Sequence, residues 1–188
     1  MNNTKCTIFK DEENNEMWMN NQLEPLYFYE YHPYDEGTNP AWYQPTDGRI
    51  LDVKDNLDVG VNFFVSKLQQ ILSSTEYTIC VIPSRKIGTQ PSGIRSIAKK
   101  LCFHSIIDGT EVLHRIKETE KKATGGHRDL NLQIESLEVR NENLIKNQQV
   151  LLLDDVTTSG NSLKAGQILL EEAGADLIVK FALGKTVR

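Results

Sequence analysis

The sequence predicts an α/β fold, in which helices flank an open parallel sheet and an irregular segment precedes it. Two short apolar runs have the length and composition of buried strands, and amphipathic helical patterns alternate with them. The order strand, helix, strand implies right-handed crossovers and therefore parallel neighbours. We divide the chain into an N-terminal segment, residues 1–56, and an α/β domain, residues 57–188.

The elements of the α/β domain follow in order along the chain. Residues 57–72 place their apolar side chains on one helical face, and YTICVI at 77–82 is a buried strand that Pro83 ends. Ser92 is a suitable N-cap for the next helix, whose apolar residues recur at helical spacing. The last elements are a strand at 150–153, a helix at 162–173 before Gly174, and a strand at 176–183.

Two segments lack such periodicity. Residues 1–50 are rich in Asn, Pro and aromatic residues, so we expect an irregular segment packed on the core, with a hood or partner surface as the alternative. Residues 116–128 are polar and contain Gly125-Gly126, which is typical of a mobile loop.

The net charge of −5 is unevenly distributed. Residues 1–60 hold 12 acidic and 4 basic side chains, whereas residues 61–188 hold 14 acidic and 17 basic ones. The most basic stretch, from Arg85 to Arg128, favours a small anionic ligand, with a solvated basic surface as the alternative. Long nucleic acid is not expected as a direct ligand, because the chain as a whole is acidic.

Cysteine usage and hydropathy indicate the compartment. Cys6, Cys80 and Cys102 fit neither a zinc motif nor a disulfide framework, which favours a reducing cytoplasm. The apolar runs are too short for a membrane span, and the N-terminal residues lack the apolar core of a secretory signal. We therefore expect a cytoplasmic location and no membrane partner.

Residues 150–162 carry the clearest functional signal, with the sequence VLLLDDVTTSGNS. A strand ends at two carboxylates, Asp154 and Asp155, and a loop of small residues then opens a helix. Ligands of open parallel sheets bind at the carboxyl ends of the strands, and a helix N-terminus offers N–H donors to phosphate. Gly160 allows close approach of the backbone, and paired carboxylates accept hydrogen bonds from vicinal hydroxyls. The arrangement suits a ribose 5-phosphate.

Other interpretations of this motif are weaker. LLLDD resembles a Walker B strand, but the sequence has no complete GxxxxGK[ST] loop. An EF-hand needs oxygen ligands at alternate positions, and Val156 interrupts that pattern. A plain helix-capping turn does not account for the paired acids and the five-residue loop together.

The thirteen residues resemble the motif with which type I phosphoribosyltransferases bind 5-phosphoribosyl-1-pyrophosphate (PRPP). The resemblance implies the fold of that family, and it implies that Asp154 and Asp155 bind the ribose hydroxyls. Mg²⁺ is then expected on the pyrophosphate, near these aspartates and without direct protein ligands. The residues expected to hold the 5′-phosphate are Thr157, Thr158, Ser159, Gly160, Asn161 and Ser162.

The resembled family has two further anion-binding elements. A loop after the first core strand binds pyrophosphate, and here it corresponds to Ser84, Arg85 and Lys86, with an ordinary basic turn as the alternative. A flexible loop closes over PRPP, excludes water and neutralises the departing pyrophosphate. Its counterpart is the polar loop, for which a solvated loop without ligand contact is the alternative. The cations of the polar loop are Lys117, Lys121, Lys122 and Arg128.

The resemblance covers roughly residues 77–183 and is closest to the competence-associated, ComF-like branch, through Arg128 and Asn131. It implies transfer of the phosphoribosyl group to a nitrogen nucleophile. Thr158 stands where 6-oxopurine salvage enzymes carry an aspartate, which argues against hypoxanthine or guanine as the acceptor. A non-catalytic PRPP or nucleotide sensor and a partner-dependent accessory protein of DNA uptake or defence are the alternatives. A homodimer, or a protein partner bound through the N-terminal segment, is compatible with each.

Overall fold

The computed structural model describes residues 3–10, 17–33, 44–88, 91–119 and 130–187. None of the helices in these ranges is long and apolar enough to cross a membrane. The elements, in chain order, are β1 (Thr4–Lys5), β2 (Trp18–Met19), β3 (Leu26–Tyr31), α1 (Pro45–Lys54), α2 (Asp58–Ile71), β4 (Tyr77–Val81), α3 (Gly93–Leu101), β5 (Ile106–Asp108), β6 (Leu113–Arg115), α4 (Leu130–Glu135), β7 (Leu137–Val139), a 3-10 turn (Glu142–Leu144), β8 (Gln149–Thr157), α5 (Asn161–Glu172) and β9 (Leu177–Thr186).

Within the described residues, five strands form one parallel sheet in the order β3-β9-β8-β4-β5. The central strand, β8, pairs with β9 on one side and with β4 on the other. The same residues also form two short antiparallel pairs outside this sheet, β1 with β2 and β6 with β7. Because neighbouring strands of the main sheet all run in the same direction, their carboxyl ends lie along one side, which we call the carboxyl edge.

Helices cover both faces of the sheet, and apolar side chains fill each interface. The helices α1, α2 and α3 contribute Ile50, Phe64 and Ile97 to one core, where all three side chains are fully buried. On the other face, α5 buries Leu163 and Leu170 against β8 and β9. The structure thus confirms the predicted α/β fold with an open parallel sheet.

The predicted helices and strands of the α/β domain are present, with shifts at their ends. The helices α2, α3 and α5 occupy the predicted segments, and the Ser92 hydroxyl accepts a hydrogen bond from the Arg95 N–H at 3.4 Å. The strand β8 is longer than predicted, because its pairing with β9 continues to Thr157. Asp154 and Asp155 therefore lie inside the strand rather than at its end, since main-chain pairing does not require apolar side chains.

The described parts of the N-terminal segment are more regular than predicted. The strand β3 pairs in parallel with β9 at one side of the main sheet, and α1 packs beside α2. Sequence periodicity missed β3 because its residues, LYFYEY, do not alternate between apolar and polar, and Tyr31 is the one buried side chain among them. The division at residue 56 stays a prediction, although β3 shares the sheet of the α/β domain.

The side chain of Asp47 attaches α1 to β3. This carboxylate is fully buried, and one of its oxygens accepts a hydrogen bond from the backbone N–H of His32 at 3.0 Å. The other oxygen accepts from the backbone N–H of Gln44 at 2.7 Å, which closes the first turn of the helix. The first turn of α1 is therefore held next to the carboxyl end of β3.

Candidate functional site

The carboxyl edge brings together the segments to which the sequence assigns function. The loop after β4 contains Ser84, Arg85 and Lys86, and the residues after β8 open α5. The backbone N–H of Ile82 donates to the carbonyl oxygen of Leu153 at 2.9 Å, so this loop begins beside the acidic pair of β8. Ligands of parallel sheets bind in crevices at such an edge.

The acidic pair, Asp154 and Asp155, is half-buried and ordered by short contacts. The Asp155 N–H donates to Oδ1 of Asp154 at 2.9 Å, and the Val156 N–H donates to Oδ1 of Asp155 at 2.6 Å. The remaining oxygen of Asp155, Oδ2, lies 2.7 Å from the ammonium of Lys54, the last residue of α1. Lys54 has no sequence signal that links it to the site, because it lies in a separate element and precedes Asp155 by 101 positions.

Burial and mutual repulsion both act on the acidic pair. Loss of hydration raises the pKa of Asp154 well above its ordinary value, and the neighbouring charge of Asp155 raises this pKa further. The Lys54 ammonium opposes both effects and favours the ionised form. A ligand that donates hydrogen bonds to the carboxylates also favours ionisation, so the pair is chemically suited to hydroxyl groups.

The segment expected to hold a 5′-phosphate forms the turn between β8 and α5. Gly160 has a φ of 77°, which is a left-handed conformation that a side chain would disfavour. The turn leads into the first turn of α5, where helical N–H groups lack acceptors within their own helix. Thr158 and Ser159 are exposed, and the Thr158 hydroxyl lies 3.0 Å from the hydroxyl of Thr186 at the end of β9. This geometry suits a phosphate cradle.

The other predicted members of this segment differ in their exposure. Thr157 is buried as the last residue of β8, so its side chain faces the protein interior. Asn161 and Ser162 begin α5 and are half-buried, and the Ser162 hydroxyl donates to Oε1 of Gln133 at 3.4 Å. The backbone of the turn is therefore accessible over a shorter stretch than the six predicted residues.

The loop after β4, expected to bind pyrophosphate, is held by a buried arginine. The Arg115 guanidinium donates through Nε to the carbonyl of Ser84 at 3.0 Å and through Nη2 to the carbonyl of Pro83 at 3.3 Å. Its Nη1 donates to the hydroxyl of Ser136, which follows α4. Ser84 and Lys86 are exposed in this loop. Arg115 was not predicted from the sequence, because a buried arginine beside a polar loop has no local signature.

The polar loop is anchored at the same place. The antiparallel pair of β6 and β7 forms its base, and the Thr119 N–H donates to the carbonyl of Arg85 at 3.2 Å. Lys117 is exposed and lies 3.4 Å from Glu135. The base of the loop thus adjoins the loop after β4. Predicted residues that lie outside the described ranges are Lys121, Lys122 and Arg128.

Comparison with known proteins agrees with this architecture. Residues 94–183 match the family model described as a phosphoribosyl transferase domain, and this range includes the acidic pair and the turn before α5. A stretch of 43 residues is 44% identical to the adenine phosphoribosyltransferase of Treponema denticola. That match spans 23% of this chain and 23% of the relative's length. The five-stranded parallel sheet flanked by helices is the α/β architecture of the type I phosphoribosyltransferase fold, and residues 94–183 are similar to the domain of that family.

Proposed function

We propose that this protein binds PRPP with Mg²⁺ and transfers the phosphoribosyl group to a nitrogen nucleophile, with release of pyrophosphate. The observation that carries the proposal is the acidic pair of β8, directly followed by a left-handed glycine turn and a helix N-terminus at the carboxyl edge. A carboxylate pair beside a phosphate cradle matches the diol and the 5′-phosphate of one ribose ring.

In the proposed complex, Asp154 and Asp155 accept hydrogen bonds from the ribose 2′ and 3′ hydroxyls. The 5′-phosphate lies against the turn at 158–160 and the first N–H groups of α5. The pyrophosphate lies against the loop at 84–86, whose Arg85 and Lys86 supply positive charge. The polar loop, with Lys117 at its described end, covers the pyrophosphate during the reaction.

The reaction proposed for this site is a substitution at C1 of the ribose. The lone pair of the nitrogen forms a bond to C1, and the bond from C1 to the pyrophosphate oxygen breaks, so that pyrophosphate leaves with both electrons. The nitrogen then loses a proton to solvent. Mg²⁺ bound to the pyrophosphate would neutralise part of its charge. The chain positions the ribose, offers cations to the leaving group and excludes water.

Adenine is the first acceptor to test. It is a nitrogen base, and the similar protein of Treponema denticola is an adenine phosphoribosyltransferase. Thr158 at the first position of the phosphate turn is a poor general base, which disfavours 6-oxopurines. Membership of the ComF-like branch stays a prediction, and other nitrogen acceptors are open to the same assay.

Calorimetric titration tests PRPP binding directly. Wild-type protein should bind PRPP with Mg²⁺, and the variant Asp154→Asn/Asp155→Asn should lose about 1.5–3 kcal/mol for each charged hydrogen bond. Asp176→Asn, an exposed change before β9 at the opposite edge of the sheet, is the control and should bind as the wild type does. Folded wild-type protein that does not bind PRPP would contradict the proposal.

Pyrophosphate release with a panel of acceptors tests the transfer. Adenine, other nucleobases and simple amines are each incubated with PRPP, Mg²⁺ and protein, and the phosphoribosylated product is identified by mass. Tight binding without release from any acceptor would favour the sensing alternative. A single stable protein partner and no PRPP binding would favour the accessory alternative.

A further inference from the structure

The helix α1 brings a cation from the N-terminal segment to the acidic pair. Lys54, its last residue, lies 2.7 Å from Oδ2 of Asp155 through its ammonium group. The same ammonium lies 5.9 Å from the centre of the Tyr31 ring, at the end of β3. Both side chains of the ion pair are about one-third exposed, at 35% for Lys54 and 29% for Asp155. The contact therefore lies where a ligand of the acidic pair can reach it.

The position of α1 is set by close backbone packing. A Cβ atom on Gly93, at the start of α3, would lie 2.1 Å from the carbonyl oxygen of Val53. A Cβ atom on Gly184, near the end of β9, would lie 2.6 Å from Cδ1 of Ile50. The first distance is to a main-chain atom, so α1 approaches α3 this closely only because residue 93 is glycine, whereas the second is to the end of a flexible side chain that can move aside. The last turn of α1 is accordingly placed with little freedom.

Other cationic side chains near the carboxyl edge contact groups other than the acidic pair. Lys185 at the end of β9 lies over the Tyr27 ring, with its ammonium 5.4 Å from the ring centre. Lys164 in α5 donates to Oε1 of Gln167 at 3.2 Å. Two neighbouring charges shift the pKa of Asp154: the Asp155 carboxylate raises it, and the Lys54 ammonium lowers it. Arg85 and Lys86 belong to the loop after β4.

We propose that Lys54 is a positioning residue of the site, which fixes the Asp155 carboxylate beside Asp154 in the orientation that a ribose diol needs. The inference rests on the proposed function, because it takes PRPP as the ligand of the acidic pair. An ion pair on one carboxylate oxygen limits rotation of that carboxylate. It also offsets the repulsion between two adjacent negative charges that are partly removed from water.

In this role, Lys54 makes the last turn of α1 part of the site. A residue that acts through Asp155 should affect ligands that contain ribose and leave inorganic pyrophosphate unaffected. A cation that attracted the ligand directly would instead strengthen binding of every anion. A lysine that paired with Asp155 only in the absence of ligand would compete with ribose, because the diol would have to displace it. The three roles therefore predict different results for removal of the charge.

The experiment compares Lys54→Met with the wild type by titration of three probes with Mg²⁺. The probes are PRPP, ribose 5-phosphate and inorganic pyrophosphate. We expect Lys54→Met to weaken the binding of PRPP and of ribose 5-phosphate about tenfold. The affinity for pyrophosphate should stay within about twofold of the wild-type value. Lys54→Arg should restore most of the affinity, and Lys146→Met, before β8 at the opposite edge, is the matched control.

A double-mutant cycle then tests whether Lys54 acts through Asp155. In the Asp155→Asn background, adding Lys54→Met should change ribose 5-phosphate affinity by less than about twofold. Equal loss for all three probes, tighter binding of ribose 5-phosphate, no change, or full additivity with Asp155→Asn would each overturn the inference. Wild-type protein that binds none of the probes would instead overturn the proposed function. Thermal unfolding of each variant shows that it is folded.

Discussion

One half of the candidate site comes from consecutive residues, whereas the other half draws on segments that are far apart in the chain. The half proposed to bind ribose and the 5′-phosphate lies in β8, the turn at 158–160 and the first turn of α5. The half proposed to bind pyrophosphate combines the loop after β4, Arg115 of β6 and the base of the polar loop. The first half depends on backbone geometry within one strand–turn–helix unit, and the second depends on side-chain contacts between units.

This difference has consequences for mutation. In the local half, the strand and the helix stay in place through their own packing, so changes in the turn should reduce ligand affinity more than stability. In the assembled half, Arg115 joins β6 to the carbonyls of Pro83 and Ser84, so its loss should reduce both. Stability and affinity, measured side by side, therefore distinguish the two halves.

The largest effect is expected for Arg115→Met. Removal of the guanidinium leaves the carbonyls of Pro83 and Ser84 and the hydroxyl of Ser136 without this donor, and the free energy of unfolding should fall by about 3 kcal/mol. Pyrophosphate affinity should fall as well, because the loop after β4 loses its anchor. Urea denaturation and titration with pyrophosphate measure the two quantities. Arg140→Met, which removes an exposed ion pair with Glu138, is the control and should change the free energy of unfolding by less than about 0.5 kcal/mol.

A smaller effect on stability is expected for Gly160→Ala. The left-handed φ of 77° disfavours a Cβ atom, so the free energy of unfolding should fall by about 1 kcal/mol. Affinity for ribose 5-phosphate should fall more clearly than this, since the turn must distort where the phosphate is expected. Ser159→Ala, at the exposed neighbouring position, is the control for loss of a polar group. Unchanged phosphate affinity in Gly160→Ala would remove this turn from the site.

The acidic pair should make both stability and binding depend on pH, in opposite directions. Because the pKa of Asp154 is raised in the folded chain, the folded state binds a proton that the unfolded state has released. This contribution to stability is present at low pH and is lost as pH rises through the raised pKa. Ribose binding needs the ionised pair and should therefore strengthen as pH rises over the same range. Asp154→Asn should flatten both profiles, and unchanged profiles would contradict the assignment.

The smallest effect is expected for Thr158→Ala. Its hydroxyl is exposed and lies near that of Thr186, so the free energy of unfolding should change by less than about 0.5 kcal/mol. Loss of one neutral donor to the 5′-phosphate should weaken the binding of ribose 5-phosphate by about 1 kcal/mol. Thr186→Ala is the companion variant, since it removes the partner hydroxyl and keeps Thr158. A large loss of stability in Thr158→Ala would show that the residue has a structural role.

The two halves also differ in how far the sequence predicted them. Residues 150–162 indicated a strand, an acidic pair and a phosphate turn, and the structure has this order because each part adjoins the next in the chain. The loop at 84–86 was predicted from its place after a strand, yet its support by Arg115 was not. Local periodicity reports which side of an element faces the core, and it does not report which buried polar group another element supplies.

The sequence alone predicted the α/β class, the order of α2, β4, α3, β8, α5 and β9, and the acidic pair with its turn, whereas the short elements between α3 and β8 were not predicted. These features depend on apolar spacing and on small residues at one turn, and both are local properties. Three contacts are visible only in the folded chain: β3 joins the sheet beside β9, Arg115 holds the loop after β4, and Lys54 pairs with Asp155. Each of these contacts joins elements that are distant in the chain, so it exists only once helices and strands have packed against one another.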